Sequence, residues 1–138
     1  MIALDTKALV RYLVADHTAQ SEAVRKVVET LTEENPVFVC REVLVELVRV
    51  LERAYGFSRD EIDRLLLEMH MTDEIVLETA DQVLWSAVHY RTGAADFADL
   101  MIAAASLRAD ASLYTFDQRT AARFDGVELI PVREGKGS

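Results

Sequence analysis

The chain has 138 residues, of which 51% are hydrophobic and 28% charged, a balance that excludes a disordered protein and is typical of a globular one. Its length is enough for one domain with a hydrophobic core, which we expect to span residues 1–134, followed by a flexible tail at 135–138. The net charge of −9 is opposite in sign to that of a basic nucleic-acid-binding surface. Three interpretations stay open: a protein that binds no nucleic acid, a cluster of carboxylates whose metal ion reverses the local field, or a basic partner protein.

Apolar runs and helical spacings predict strands that alternate with helices along the chain. In chain order the predicted elements are a strand at 2–4, a helix of about two turns around 9–13, a helix at 21–31, a strand at 37–39, helices at 43–55 and 58–69, a strand at 74–77, helices at 79–90 and 96–107, and strands at 113–116 and 127–130. This alternation predicts an α/β domain with a mainly parallel sheet covered on both faces. Ligands of such sheets bind beyond the carboxyl ends of the strands.

Local signals support several of these boundaries. Thr18 is a candidate N-cap for the helix at 21–31. Ser58 and Glu61 have the spacing of a capping box, which predicts the start of the helix at 58–69. Gly56 predicts the end of the helix at 43–55.

Other features exclude several kinds of site. A single cysteine, Cys40, excludes an internal disulfide and a thiolate zinc site, and its apolar neighbours predict a buried side chain. His17, His70 and His89 are scattered, and we interpret them as incidental. No apolar run approaches the roughly 20 residues of a membrane span, and the first residues do not resemble a signal peptide. We therefore expect a cytoplasmic protein.

Two acids follow predicted strands directly. Asp5 comes after the first strand and Asp117 after the fourth. If these strands are parallel, both side chains emerge at the same edge of the sheet. Each Asp equally suits the N-cap of the helix that follows, so the capping interpretation stays open.

Three further acids lie in or before apolar helices. Glu46 occurs in a nearly apolar stretch, where an unpaired carboxylate is costly, although pairing with Arg49 or Arg53 on the solvent side is the alternative. Asp96 and Asp99 precede a run of Ala, Leu, Met and Ile and have the spacing of an N-cap residue and its third helical position. Acids that face one another at neutral pH require a cation, and oxygen ligands select Mg²⁺ or Mn²⁺.

These acids, in this order and in these elements, resemble the signature of the PIN-domain family, and most closely that of VapC-type toxins. The residues that carry the resemblance are Asp5 after a short strand, Glu46 in an apolar helix, Asp99 in Asp-x-x-Ile-Ala-Ala, and Asp117 in Thr115-Phe116-Asp117. The resemblance spans residues 5–130. It implies a three-layer α/β/α sandwich with a mainly parallel sheet of four or five strands.

The resemblance also implies a function. The family consists of Mg²⁺- or Mn²⁺-dependent endoribonucleases, usually homodimers, and the toxins among them are inhibited by an antitoxin protein. Asp5, Glu46 and Asp99 match its three central acids, and Asp117 matches a more variable fourth. Asp96 is an additional candidate ligand, and Thr115 matches a small hydroxyl residue that orients a ligand or water.

Three arginines are candidates for phosphate contacts, with a plain surface role as the alternative: Arg11, Arg41 and Arg49. Two other functions were weighed. A Mg²⁺-binding receiver-like signalling domain would require paired acids after the first strand and a late lysine, which the sequence lacks. A PIN-like binding scaffold without catalysis would not need to bind Mn²⁺.

Overall fold

A computed structural model describes residues 1–133, so the end of the predicted domain and the predicted tail at 135–138 lie outside the described residues. Within residues 1–133 the chain forms five strands and seven helices. Their order is β1 (Ile2–Ala3), α1 (Thr6–Val14), α2 (Thr18–Val28), β2 (Val37–Val39), α3 (Arg41–Arg53), α4 (Arg59–His70), β3 (Ile75–Leu77), α5 (Ala80–Arg91), α6 (Phe97–Arg108), β4 (Leu113–Thr115), α7 (Gln118–Arg123) and β5 (Val127–Leu129). None of these helices is long and apolar enough to cross a membrane.

All strand pairs are parallel, which confirms the predicted α/β class. The order β1-β2-β3 forms one hydrogen-bonded sheet, and β4 pairs with β5 in a second. Parallel neighbours require crossover connections, and helices supply them: α1 and α2 between β1 and β2, and α3 and α4 between β2 and β3. The crossover from β4 to β5 contains α7, which the sequence analysis missed because six residues are too few to show a helical period.

The capping box of α4 is confirmed. Ser58 Oγ accepts a hydrogen bond from the Glu61 amide at 3.1 Å, and the Glu61 carboxylate accepts one from the Ser58 amide at 2.9 Å. These bonds hold the pKa of Glu61 below its ordinary value. They satisfy two amides that would otherwise have no partner in the helix.

The predicted cap of α2 was wrong. His17, rather than Thr18, is the N-cap residue, and its ring nitrogen Nδ1 accepts a hydrogen bond from the Gln20 amide at 3.2 Å. The helix therefore begins at Thr18, three residues before the predicted start. Its first turn is polar and exposed, so the apolar spacing on which the prediction rested does not extend to it. Cys40, predicted to be buried, is only partly buried at the N-cap of α3.

The hydrophobic core lies between α3, α4, α5 and α6. Leu44, Leu47 and Leu51 on α3 are completely buried, as is Leu100 on α6. Their spacing of three and four residues places them on one face of α3. This packing leaves the opposite edge of α3 free to border two surface grooves, which lie on either side of the helix.

Candidate active site

Asp5 and Asp117 both cap helices, as their capping interpretation required. Asp5 Oδ1 accepts a hydrogen bond from the Ala8 amide at 2.9 Å. Asp117 Oδ1 accepts one from the Arg119 amide at 2.9 Å and one from the Thr120 amide at 3.3 Å. In each residue Oδ2 accepts no hydrogen bond from residues 1–133. Because a carboxylate offers about four lone-pair positions, capping leaves each side chain able to bind a ligand.

Thr115 holds the backbone of Asp117. Its hydroxyl oxygen accepts a hydrogen bond from the Asp117 amide at 3.0 Å, which shapes the turn between β4 and α7. The bond directs Asp117 from the end of the strand toward the start of α7.

Asp96 stands at the N-cap of α6 but its carboxylate makes no capping hydrogen bond. Asp96 Oδ1 lies 3.4 Å from an Arg59 nitrogen instead. Asp99, in the first turn of α6, is partly buried. Asp96 and Asp99 therefore occupy the predicted N-cap and third helical positions, but the Asp96 carboxylate makes no capping hydrogen bond.

Asp96 and Asp117 lie near enough to Asp99 for their charges to act on it. Burial raises the pKa of Asp99, and the negative charges of Asp117 and Asp96 raise it further. Like charges brought together in this way disfavour ionisation unless a cation lies among them. The oxygen-only donor set fits Mg²⁺ or Mn²⁺.

The raised pKa of Asp99 predicts an effect on stability without metal. Above its folded pKa the ionised Asp99 destabilises the fold, whereas below its ordinary value of 3.8 the group is protonated in both states. Asp99→Asn is therefore expected to raise the melting temperature of metal-free protein at pH 7. The increase should shrink as the pH falls and disappear below about pH 3.8, which thermal melts across this range would check. A variant that melts below the wild-type chain at pH 7 would contradict the expectation.

Glu46 borders a different group. It is exposed on α3, and it lines the groove between α1 and α3 together with Asp5, Lys7 and Tyr55. A second groove, between α3 and α6, is lined by Asp96 and Asp99. Glu46 also borders this side of α3, in a groove whose lining includes Arg49 and Ala98. The structure thus places Asp5 on one side of α3 and Asp96 and Asp99 on the other, with Glu46 bordering both. Within residues 1–133 no group of three or more His, Cys, Asp or Glu is arranged to hold a metal ion.

The three candidate arginines differ in the hydrogen bonds and ion pairs that their guanidinium groups make. Arg41 donates to the side chains of Thr79 and Gln82 and to the carbonyl of Met101, so its donors serve the contact between α3, α5 and α6. Arg11 donates to Gln20 at 2.7 Å and pairs with Asp16 at 3.4 Å.

Arg49 is exposed and makes no side-chain hydrogen bond or ion pair within residues 1–133. It lines the groove between α3 and α6 beside Asp96 and Asp99. Of the three candidates, its guanidinium is the one whose donors are free for a ligand in the described part of the chain.

The sequence analysis missed Glu52. This partly buried acid lines the same groove as Asp96 and Asp99. Its spacing was available in the sequence, because Glu52 lies three residues after Arg49 and seven after Val45 and so shares their face of α3. It also accepts a hydrogen bond from the hydroxyl of Tyr90, a tertiary contact that no spacing reveals.

The PIN domain family matches residues 2–127, which contain every acid discussed above. No curated protein matches the chain. PIN domains are generally nucleases and typically use divalent metal ions. A match over this much of the sequence, together with parallel strands whose carboxyl ends carry Asp5 and Asp117, establishes that the chain belongs to the PIN-domain family.

Proposed function

We propose that the chain is a Mg²⁺- or Mn²⁺-dependent endoribonuclease and the toxin of a VapBC-type toxin–antitoxin pair. One observation carries the nuclease part: at the start of α6 the charges of Asp96 and Asp117 act on the partly buried Asp99, in a chain of a nuclease family. Within residues 1–133, neither the carboxylate of Asp99 nor Asp117 Oδ2 accepts a hydrogen bond.

The residues fit a hard divalent ion by their chemistry. Mg²⁺ is typically held by one or two carboxylates, with water and substrate phosphate completing its shell, so a closed protein cage is not required. We assign Asp5 and Asp99 as direct ligands, and Glu46, Asp117 and Asp96 as acids that complete the shell or act through water. When bound, the metal would neutralise charge on the scissile phosphate and lower the pKa of a coordinated water.

The side chains divide the remaining work. Glu46 is exposed and unpaired within residues 1–133, so it can orient an attacking water and accept its proton. Thr115 fixes the backbone of Asp117 and thereby the direction of its carboxylate. Arg49, which lines the groove beside Asp99, is placed to hold a substrate phosphate.

The first experiment is cleavage of a mixed RNA pool by the purified chain with Mg²⁺ or Mn²⁺, with and without EDTA. Asp99→Asn should lower cleavage at least about 100-fold, because it removes one of the acids that stabilise charge in the transition state. Asp96 and Asp117 remain beside it and compensate in part. Cleavage that survives EDTA or the substitution would refute the proposal. A matched DNA pool tests the choice of RNA.

One observation favours the alternative of a catalytically inactive scaffold: within residues 1–133 no group of three or more acids is arranged to hold a metal ion, and α3 lies between Asp5 and Asp99. Titration with Mn²⁺ distinguishes the two functions. A nuclease binds Mn²⁺ and loses affinity in Asp99→Asn, whereas a scaffold shows neither binding nor cleavage.

The toxin role requires a protein partner. Val45 and Ile102 line an apolar groove between α3 and α6, and the side chain of Ile102 is 52% exposed. An antitoxin segment that covered this groove would also close access to Asp99, and the net charge of −9 favours a basic partner. We further propose a homodimer. Co-purification with the product of the neighbouring gene, and the mass of the chain alone in solution, test these two points.

A further inference from the structure

Arg59, the first residue of α4, links three backbone and side-chain groups near the start of α6. Its Nη1 donates to the carbonyl of Tyr90 at 2.8 Å and to the carbonyl of Ala95 at 2.8 Å. Its Nη2 lies 3.4 Å from Asp96 Oδ1. A single guanidinium thus joins the end of α5 to the residue before Asp96, and the planar arrangement of its donors suits this bridge.

The same guanidinium lies over the face of the Tyr90 ring. The Arg59 guanidinium carbon lies 4.4 Å from the centre of the ring, a distance at which a cation and an aromatic face attract each other. Tyr90 is completely buried and its hydroxyl donates to Glu52 on α3. Burial, and then the bond to Glu52, raise the pKa of Tyr90, so the hydroxyl stays protonated and remains a donor. The network therefore connects α3, α4 and α5.

Backbone hydrogen bonds join the start of the segment before α6 to the end of α5: the Gly93 amide donates to the carbonyl of Tyr90 at 3.0 Å and the Ala94 amide to the carbonyl of His89 at 3.1 Å. Gly93 has a positive φ of 83°, and the next two residues, Ala94 and Ala95, are buried but carry no polar side chain. The carboxylate of Asp96 makes no capping hydrogen bond. Burial of Phe97 and Leu100 packs α6 against the core, and the hydrogen bond from Arg59 to the carbonyl of Ala95 holds the residue directly before Asp96.

We propose that Arg59 is a positioning residue, which fixes the carboxylates of Asp96 and Asp99 relative to α3 and does not itself bind substrate. This inference rests on the proposed function, since it assigns a purpose to the placement of two acids of that site. Three of its five N–H donors already bind Tyr90, Ala95 and Asp96, so Arg59 has fewer donors for a substrate than Arg49, which makes no side-chain hydrogen bond within residues 1–133.

The test compares Arg59→Lys with Arg91→Lys. Lysine keeps the positive charge of Arg59 but loses the planar fork and the stacking on Tyr90. Arg91 is a matched control, because it also joins α5 to α4, with its Nε 3.7 Å from Asp63 Oδ2, but it makes no contact with residues 94–96 among the described ion pairs and hydrogen bonds. Each protein is measured by amide hydrogen exchange without metal, by titration with Mn²⁺ alone, and by kcat and KM for RNA cleavage.

Arg59→Lys should speed exchange of the amides in residues 93–99 at least about 10-fold relative to the rest of the chain, because their local opening becomes easier. Its Mn²⁺ affinity should fall about 10-fold, as for other residues that orient metal ligands. The value of kcat should fall while KM stays within about two-fold, because substrate binding is not its task. Arg91→Lys should match the wild-type chain in all three measurements.

Unchanged exchange in Arg59→Lys would overturn the proposal, and so would faster exchange with unchanged Mn²⁺ affinity, which would make the role merely structural. If the wild-type chain itself binds no Mn²⁺, the proposed function fails and this inference fails with it, a result distinct from loss in the variant alone. Should Arg59→Lys fail to fold, Arg59→Gln replaces it, since it also lacks the fork of donors that binds the carbonyls of Tyr90 and Ala95. Unchanged exchange at 93–99 in that variant would also overturn the proposal.

Discussion

Asp5→Asn should lower the rate of RNA cleavage about 1000-fold, a loss of the size seen when a major charge-stabilising group is removed from an active site. The effect should exceed that of Asp99→Asn. Asp99 has Asp96 and Asp117 beside it, whereas Asp5 shares its groove with one other acid, Glu46, and has no acidic replacement nearby.

The fold should survive this substitution. Asn caps helices about as well as Asp, and its side-chain oxygen can accept the hydrogen bond that the Ala8 amide now donates to Asp5. The variant therefore separates the chemistry of the carboxylate from its capping role. The measurements are single-turnover cleavage with Mn²⁺ and a thermal melt of the same sample.

Asp73→Asn is the matched control. Asp73 is exposed in the turn before β3 and lines neither groove, so its substitution should change neither cleavage nor melting. Retained cleavage in Asp5→Asn would remove Asp5 from the site. Loss of both activity and melting temperature would show that its cap, rather than its charge, is what matters.

Leu100→Ala should lower the free energy of unfolding by about 3 kcal/mol, the middle of the range for a buried Leu cut to Ala. Leu100 is completely buried one residue after Asp99, and its side chain belongs to the core shared with α3. For a chain of this size the corresponding drop in melting temperature is about 10 °C. Chemical denaturation at equilibrium measures the free energy directly.

Ile102→Ala, on the same helix, provides the comparison. The side chain of Ile102 is 52% exposed, so its loss should change the free energy of unfolding by no more than about 0.5 kcal/mol. Equal destabilisation by the two substitutions would contradict the assigned burial of α6. A small effect of Leu100→Ala would mean that the surrounding core collapses into the space left by the missing side chain.

Most secondary structure could be predicted because its signals are local. The capping box at Ser58 and Glu61 involves residues three apart, and it forms as expected. Asp5 and Asp117 follow strands β1 and β4, and both strands lie where the short apolar runs predicted. The apolar periodicity predicted neither α7, which is too short to show a helical period, nor the first turn of α2, which has too few apolar residues.

The residues of the candidate site could be named from the sequence, but their grouping could not. A sequence places Glu46 and Asp99 in two helices and does not say which groove each side chain borders. Asp96 illustrates the difference, because its spacing predicted a capping role while its carboxylate lies near Arg59. Capping depends on neighbours in the chain, whereas that contact depends on how α4 packs.

By itself, the sequence determined the α/β class, the order of most elements and the set of acids, because periodicity, caps and strand ends are encoded within a few residues of each other. Only the tertiary structure decided that α3 lies between Asp5 and Asp99 while Glu46 borders the grooves on both sides, that Arg41 is hydrogen-bonded within the fold and Arg49 is not, and that Arg59 binds the backbone directly before Asp96. Arg41 and Arg59 make their hydrogen bonds to backbone carbonyls that lie 31 to 60 positions away in the chain. Such contacts exist only once the helices have packed.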